Sequence, residues 1–143
     1  MRVAQARVGE ELGPLRVEVD RPRLVAYAAA SGDHNRIHWD GETARAVGLP
    51  DVIAHGMWTM GAAAELVASW AGDPAALTRY ATKFTAPVVV PARGSVSIEV
   101  RGRVSRVEAG VAVVDLDVTC DGVKVLSRAQ AHVALAGEGS QGA

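Results

Sequence analysis

Met57-Trp58-Thr59-Met60-Gly61-Ala62-Ala63-Ala64-Glu65-Leu66-Val67-Ala68-Ser69-Trp70-Ala71 is the stretch whose reading decides the fold. It is the longest helix candidate in the chain. Its residues are apolar or small nearly all round, and a helix that is apolar on every side is a buried one. The run of Gly and Ala lets neighbouring backbone come close. Gly72-Asp73-Pro74 breaks the helix, because proline cannot continue it. Something else in the chain must therefore wrap this segment.

The residues that follow supply the wrapping. Tyr80, Thr82 and Phe84 alternate with Ala81, Lys83 and Thr85, the period of two that marks a strand. Pro87 and Pro91 bracket Val88-Val89-Val90, so a strand here bends or ends at an edge. Val96, Ile98, Val100 and Val104 face one way; Ser97, Glu99, Arg101 and Arg103 face the other. Ala112, Val114, Leu116, Val118 and Cys120 repeat that pattern. Asp121-Gly122 is a strong hairpin turn. Val123, Val125, Ala129, Ala131, Val133 and Leu135 complete the last strand.

Towards the N-terminus, Leu15-Arg16-Val17-Glu18-Val19 alternates as a short strand. Asp20 offers a capping oxygen and Pro22 suits a first helical turn. Leu24, Val25, Tyr27 and Ala28 then form an apolar face, and Gly32 can end the helix with a positive φ. Asp40 can cap a second short helix over Glu42 to Val47, closed by Gly48. The expected architecture is α+β: a strongly twisted antiparallel sheet wrapped around one long central helix. An open edge strand in such a sheet favours pairing with a second subunit. A single domain is expected over residues 1–136, with 137–143 as a frayed tail.

Composition narrows the function classes. The chain has 143 residues, 49% hydrophobic and 22% charged, enough for a full core. Fifteen basic against sixteen acidic residues leave a net charge of −1, so nothing points to nucleic acid or an anionic membrane. The one cysteine, Cys120, excludes an internal disulfide and fits a reducing compartment. The first sixteen residues have no apolar core of a secretory signal, and Gly56 to Gly72 is too short to span a bilayer. A cytoplasmic location is expected.

Polar chemistry concentrates in Ser31-Gly32-Asp33-His34-Asn35-Arg36-Ile37-His38-Trp39-Asp40, which holds two of the four histidines. Taken alone, Asp33 and Asn35 read as turn residues after a helix stop. A lone His38 would read as structural or exposed. Together with Ala44, however, Tyr27-Ala28-Ala29-Ala30-Ser31-Gly32-Asp33-His34-Asn35-Arg36-Ile37-His38 resembles the hydratase-2 motif of the MaoC-like dehydratases. Ile53-Ala54-His55-Gly56-Met57 is similar to that family's entry to its central helix. The likeness covers roughly Val17 to Leu135 and is strongest to the catalytic subunit of the actinobacterial fatty-acid 3-hydroxyacyl-carrier-protein dehydratase.

The resemblance implies the hot-dog fold, a dimer, and no metal or redox cofactor. It implies hydration of trans-2-enoyl thioesters to (R)-3-hydroxyacyl thioesters, or the reverse dehydration, on coenzyme A or acyl carrier protein. It implies Asp33 and His38 as the catalytic pair, with Asn35 supporting. An imidazole exchanges protons near neutral pH, which suits the role. Gly56 should open the long helix with an unpaired N–H able to donate to the thioester oxygen. His55, Met57, Trp58 and Met60 are candidate substrate contacts; His55 also reads as a loop-ordering residue, and the others as core. Two departures stand out: Arg36 replaces the motif's proline and would place a cation near Asp33, and Ala30 stands where the family prefers a larger aliphatic residue.

Metal binding is disfavoured. His34 and His38 are four apart, a spacing that pairs ligands only within a helix, and Gly32 should already have ended it. Three other readings remain: a hot-dog thioesterase using Glu65 as its carboxylate, a non-catalytic subunit completing a partner's tunnel, and a dehydratase of polyketide or other secondary-metabolite thioesters. The partner would be a second copy or a related hot-dog subunit.

Overall fold

The computed structural model describes residues 2–137. The tail expected over 137–143 lies outside these, apart from Gly137.

Five strands, β1 (Glu11–Val19), β2 (Leu77–Phe84), β3 (Val96–Glu108), β4 (Val111–Cys120) and β5 (Val123–Ala134), form one sheet in the order β1-β3-β4-β5-β2. Every neighbouring pair is antiparallel. Three helices, α1 (Arg21–Ser31), α2 (Gly41–Ala46) and α3 (Gly56–Ala71), lie between β1 and β2 in the chain. A hot-dog fold results, with α3 as the filling.

The local signals act as physical chemistry dictates. Asp20 accepts from the Arg23 N–H at 2.9 Å to start α1, and Gly32 ends it at φ 78°. Gly72 ends α3 the same way, at φ 74°. Asp121 and Gly122 both take positive φ in the β4–β5 turn, the conformation a two-residue hairpin needs. Ala109 and Gly110 do the same between β3 and β4, a turn with no strong sequence signal. On the inner face Ile98, Val100 and Val104 lie opposite Cys120, Val118 and Val114, all buried.

Four features differ from the sequence expectation. β1 begins at Glu11 rather than Leu15, because a register shift between Leu12 and Leu15 lets the strand carry Gly13-Pro14. Val88–Val90 is no strand of the sheet. It lies against Val52–Ala54 instead, through Ala54 N–H to Val88 O (2.8 Å) and Val90 N–H to Val52 O (2.9 Å). In β5, Arg128 adopts φ 51° and breaks the alternation. Adjacent Val125 and Leu126 are both buried, while Val123 is 56% exposed. Finally, α3 is not enclosed on every side. Trp58, Thr59, Ala63, Leu66, Val67 and Ala71 are buried, but Met57, Gly61 and Glu65 form an exposed stripe at four-residue spacing. One chain's sheet can cover only one side of a helix, and Glu65 takes the open side, where its charge stays in water.

Candidate active site

The end of α1 starts the site. After Gly32 the chain turns through Asp33, whose Oδ1 accepts from the Asn35 N–H at 3.2 Å. Asn35 Oδ1 accepts from the Ile37 N–H at 3.2 Å and so begins a single 3₁₀ turn, Arg36–His38. That turn brings His38 inward until only 7% of it is exposed. His38 Nδ1 is 2.8 Å from the Ile53 carbonyl. A carbonyl can only accept, so Nδ1 carries the hydrogen and Nε2 of the neutral ring carries the lone pair. Nε2 lies 3.8 Å from Asp33 Oδ2. That gap is too long for a direct hydrogen bond, and it leaves room for a hydroxyl oxygen to touch both groups. One carboxylate oxygen of Asp33 thus forms the turn, and the other faces His38.

His55 precedes α3 but makes no side-chain capping bond. Its Nε2–H donates to the Asp33 carbonyl at 3.2 Å. Its ring stacks on that of His38, 3.8 Å between centroids and 21° between planes, and lies 4.7 Å from the Tyr27 ring. Burial pushes its pKa below the ordinary imidazole value, so near neutral pH His55 is uncharged.

A cavity of about 430 Å³ opens beside His38. Gly56 and Thr59 contribute from α3, Phe84 from the end of β2, Thr85 to Val88 from the segment after it, and Val125 and Leu126 from β5. The wall is largely apolar, as small-molecule sites are. Gly56 is the first residue of α3, so its N–H has no acceptor within the helix. A Cβ placed there would meet the Phe84 ring at 3.0–3.3 Å, so glycine allows the ring its close approach.

The structure groups Asp33 and Asn35 with His38 and puts His38 and Gly56 on one cavity wall, which Asp33 and Asn35 do not line. It keeps the four candidate substrate contacts away from the cavity wall within this chain. His55 is buried behind His38, Met57 is 61% exposed, Trp58 is 8% exposed in the core, and the Met60 carbonyl accepts from Tyr80 Oη at 2.8 Å. Arg36 finds its partners a turn further along the chain. Its guanidinium lies over the Trp39 ring at 5.4 Å, with Nε 3.8 Å from Asp40 Oδ2, an i,i+4 partner. Asp40 is held below the usual carboxylate range chiefly by the Thr43 hydroxyl. Residues the sequence did not single out are the Ile53 carbonyl and the wall formed by Thr59, Phe84, Thr85, Ala86, Val125 and Leu126. Their signal is weak because three separate segments meet there only after folding.

Asp33, His38 and His55 each offer an atom within 4.8 Å of the others. The carbonyl bonds at His38 Nδ1 and His55 Nε2 leave His38 Nε2 and His55 Nδ1 open.

The family profile described as MaoC like domain matches residues 3–121. The chain belongs to the MaoC-like family. A curated relative, 3-hydroxyacyl-thioester dehydratase X of Mycobacterium tuberculosis, is 47% identical over 70 residues, 49% of this chain and 24% of the relative. A solved MaoC-like dehydratase superposes with a TM-score of 0.91 at 38% identity, covering 94% of this chain and 43% of that one. The ChsH1–ChsH2 complex from Mycobacterium tuberculosis superposes at 0.81 and 20% identity, covering 92% of this chain and 100% of that one. This MaoC-like chain therefore spans about a quarter of the curated relative's length and less than half of the first solved structure's. Among the described residues no helix is long and apolar enough to cross a membrane.

Proposed function

We propose that this MaoC-like chain is an (R)-specific hydratase or dehydratase that interconverts trans-2-enoyl and 3-hydroxyacyl thioesters carried on coenzyme A or acyl carrier protein. The observation that carries the reading is the 3.8 Å gap between Asp33 Oδ2 and His38 Nε2, with His38 and Gly56 on the wall of one apolar cavity. In hydration, a water held between the two side chains gives its oxygen to C3 of the enoyl group. One proton of that water goes to the Asp33–His38 pair, and the pair returns a proton to C2. In dehydration the same transfers run backwards. Charge that gathers on the thioester oxygen meets the Gly56 N–H and the positive end of α3. Neither step needs an electron acceptor.

A thioesterase reading would require a carboxylate at the acyl group. Glu65 is exposed and does not line the cavity, which disfavours it. One hot-dog domain over 1–136 fits the reading, and so does a second hot-dog subunit, identical or related. The open stripe on α3 and the likeness to chains of the ChsH1–ChsH2 complex support such a partner.

The test is direct. Purified protein mixed with a trans-2-enoyl thioester should lose the absorbance of the conjugated alkene. Asp33→Asn and His38→Gln should each lower the rate by about 10²–10⁴-fold, the usual worth of general acid–base catalysis, without unfolding the chain. Full activity in both variants would reject the proposal.

A further inference from the structure

His55 touches both members of the Asp33–His38 pair. Its Nε2–H bonds the Asp33 carbonyl at 3.2 Å, and its ring covers one face of the His38 ring at 3.8 Å. It is only 2% exposed and gives α3 no capping bond, so helix capping does not explain an imidazole there. Its Nδ1 is buried without a hydrogen-bond partner among the described residues. Such a group costs stability, and neither the cavity wall nor the acid–base chemistry accounts for it.

We propose that His55 is a positioning residue, holding the Asp33 loop and the His38 ring in working register, and that the stacked histidines carry one proton at most, on His38. This rests on the reading of Asp33 and His38 as the acid–base pair.

The clamp follows from the contacts. The Asp33 backbone cannot move away from α3 without losing its bond to His55, and the His38 ring cannot tilt without losing its stack. His38 is gripped on its far side by the Ile53 carbonyl, so its Nε2 is fixed from two directions.

The single proton follows from the surroundings. The titratable groups facing His55 are Asp33 from the loop after α1, His38 from the 3₁₀ turn and Tyr27 from α1. A carboxylate oxygen stands opposite His38 Nε2, so a proton on His38 has a counter-charge. A second proton would go to His55 Nδ1, which faces no acceptor, and would set two cations face to face. Neutral His55 is therefore the partner that lets His38 cycle.

Two measurements test this. In an NMR titration of the wild-type ring resonances, His55 should take up its proton only below the ordinary imidazole value. In His38→Gln the His55 step should move up, because its cationic neighbour is gone. His55 titrating at or above that value, or unchanged in that variant, would overturn the single-proton claim. For the clamp, His55→Phe keeps a stacking ring and His55→Gln keeps an N–H donor. Each should lower kcat by about ten- to a hundredfold with KM nearly unchanged, as small misplacements of reacting groups do. Both variants folded, with wild-type kcat, would overturn the clamp. If neither folds, the wild-type His55 Nε2–H decides: its proton should exchange slowly because it is bonded to the Asp33 carbonyl, and exchange as fast as in an exposed ring would overturn the clamp. Full activity of Asp33→Asn would instead reject the acid–base reading, while the titrations still judge the histidine pair.

Discussion

His38 Nδ1 sits 2.8 Å from the carbonyl oxygen of Ile53, a residue fifteen positions away. That bond lies on the side of the imidazole remote from Asp33, yet it decides which nitrogen faces Asp33. The Ile53 carbonyl is available because Val52–Ala54 runs beside Val88–Val90 and is held there by two backbone bonds. The chemistry of the ring therefore depends on a pairing between segments that precede α3 and follow β2.

Gly56→Ala should damage the site from two sides. The new methyl group would press on the Phe84 ring at 3.0–3.3 Å, and it would crowd the approach to the Gly56 N–H. Alanine keeps the N–H but holds the thioester oxygen away from it, and since a lost oxyanion donor costs about 3–4 kcal/mol of barrier lowering, the rate should fall by up to about a hundredfold. Steady-state kinetics on an enoyl thioester check this. Gly56→Ala paired with Phe84→Leu should recover part of the loss by relieving the contact.

Arg36→Pro should stabilise the protein and leave activity in place. Asn35 has φ −56° and ψ 127°, the extended conformation that precedes proline comfortably. The exposed Arg36–Asp40 pair that would be lost is worth little. A compatible proline adds about 0.4–1 kcal/mol by restricting the unfolded chain. Thermal unfolding should show Tm rising by a few degrees.

Stability should fall as pH drops below about 6.5, the ordinary value for His55. Folding depresses the His55 pKa through burial, so at mildly acidic pH the unfolded chain takes up a proton that the folded chain refuses. The stabilisation is fully present above the unfolded value and declines as pH falls towards the folded one. A second decline belongs to Asp73, whose pKa the Arg2 guanidinium holds below the usual 3.8. Tm measured against pH should show both steps, and His55→Phe should remove the first.

Tyr80→Phe should lower stability by about 0.5–1.5 kcal/mol, the usual net worth of one hydrogen bond. The phenol reaches the Met60 carbonyl of α3 at 2.8 Å, and burial lifts its pKa to about 12. The phenol therefore stays protonated and keeps donating across the neutral range. Denaturant unfolding of the two proteins gives the difference.

Much of this was legible in the residues. Asp20, Gly32, Gly72 and Asp121-Gly122 each impose a local geometry that depends on few neighbours, and each does so here. The grouping of Asp33, Asn35 and His38 was legible because one loop and one turn suffice to converge them. The partners of Arg36 were not legible because a long flexible side chain chooses among partners in space, and here it meets Trp39 and Asp40. Val88–Val90 has strand composition, but which partner it finds is a tertiary matter. The left-handed turn of Arg128 has no propensity signal, so the shift that sends both Val125 and Leu126 inward was invisible. The open stripe on α3 was hidden too, since composition cannot reveal how far one sheet reaches around a helix.

The divided duty of Asp33 has a practical corollary. One oxygen fastens the Asn35 amide and the other points at His38. A ligand that pulls on the second oxygen also loads the first, so occupancy of the cavity should be felt along the backbone from 33 to 38. Slower hydrogen exchange at the Asn35 amide would then report binding without any turnover.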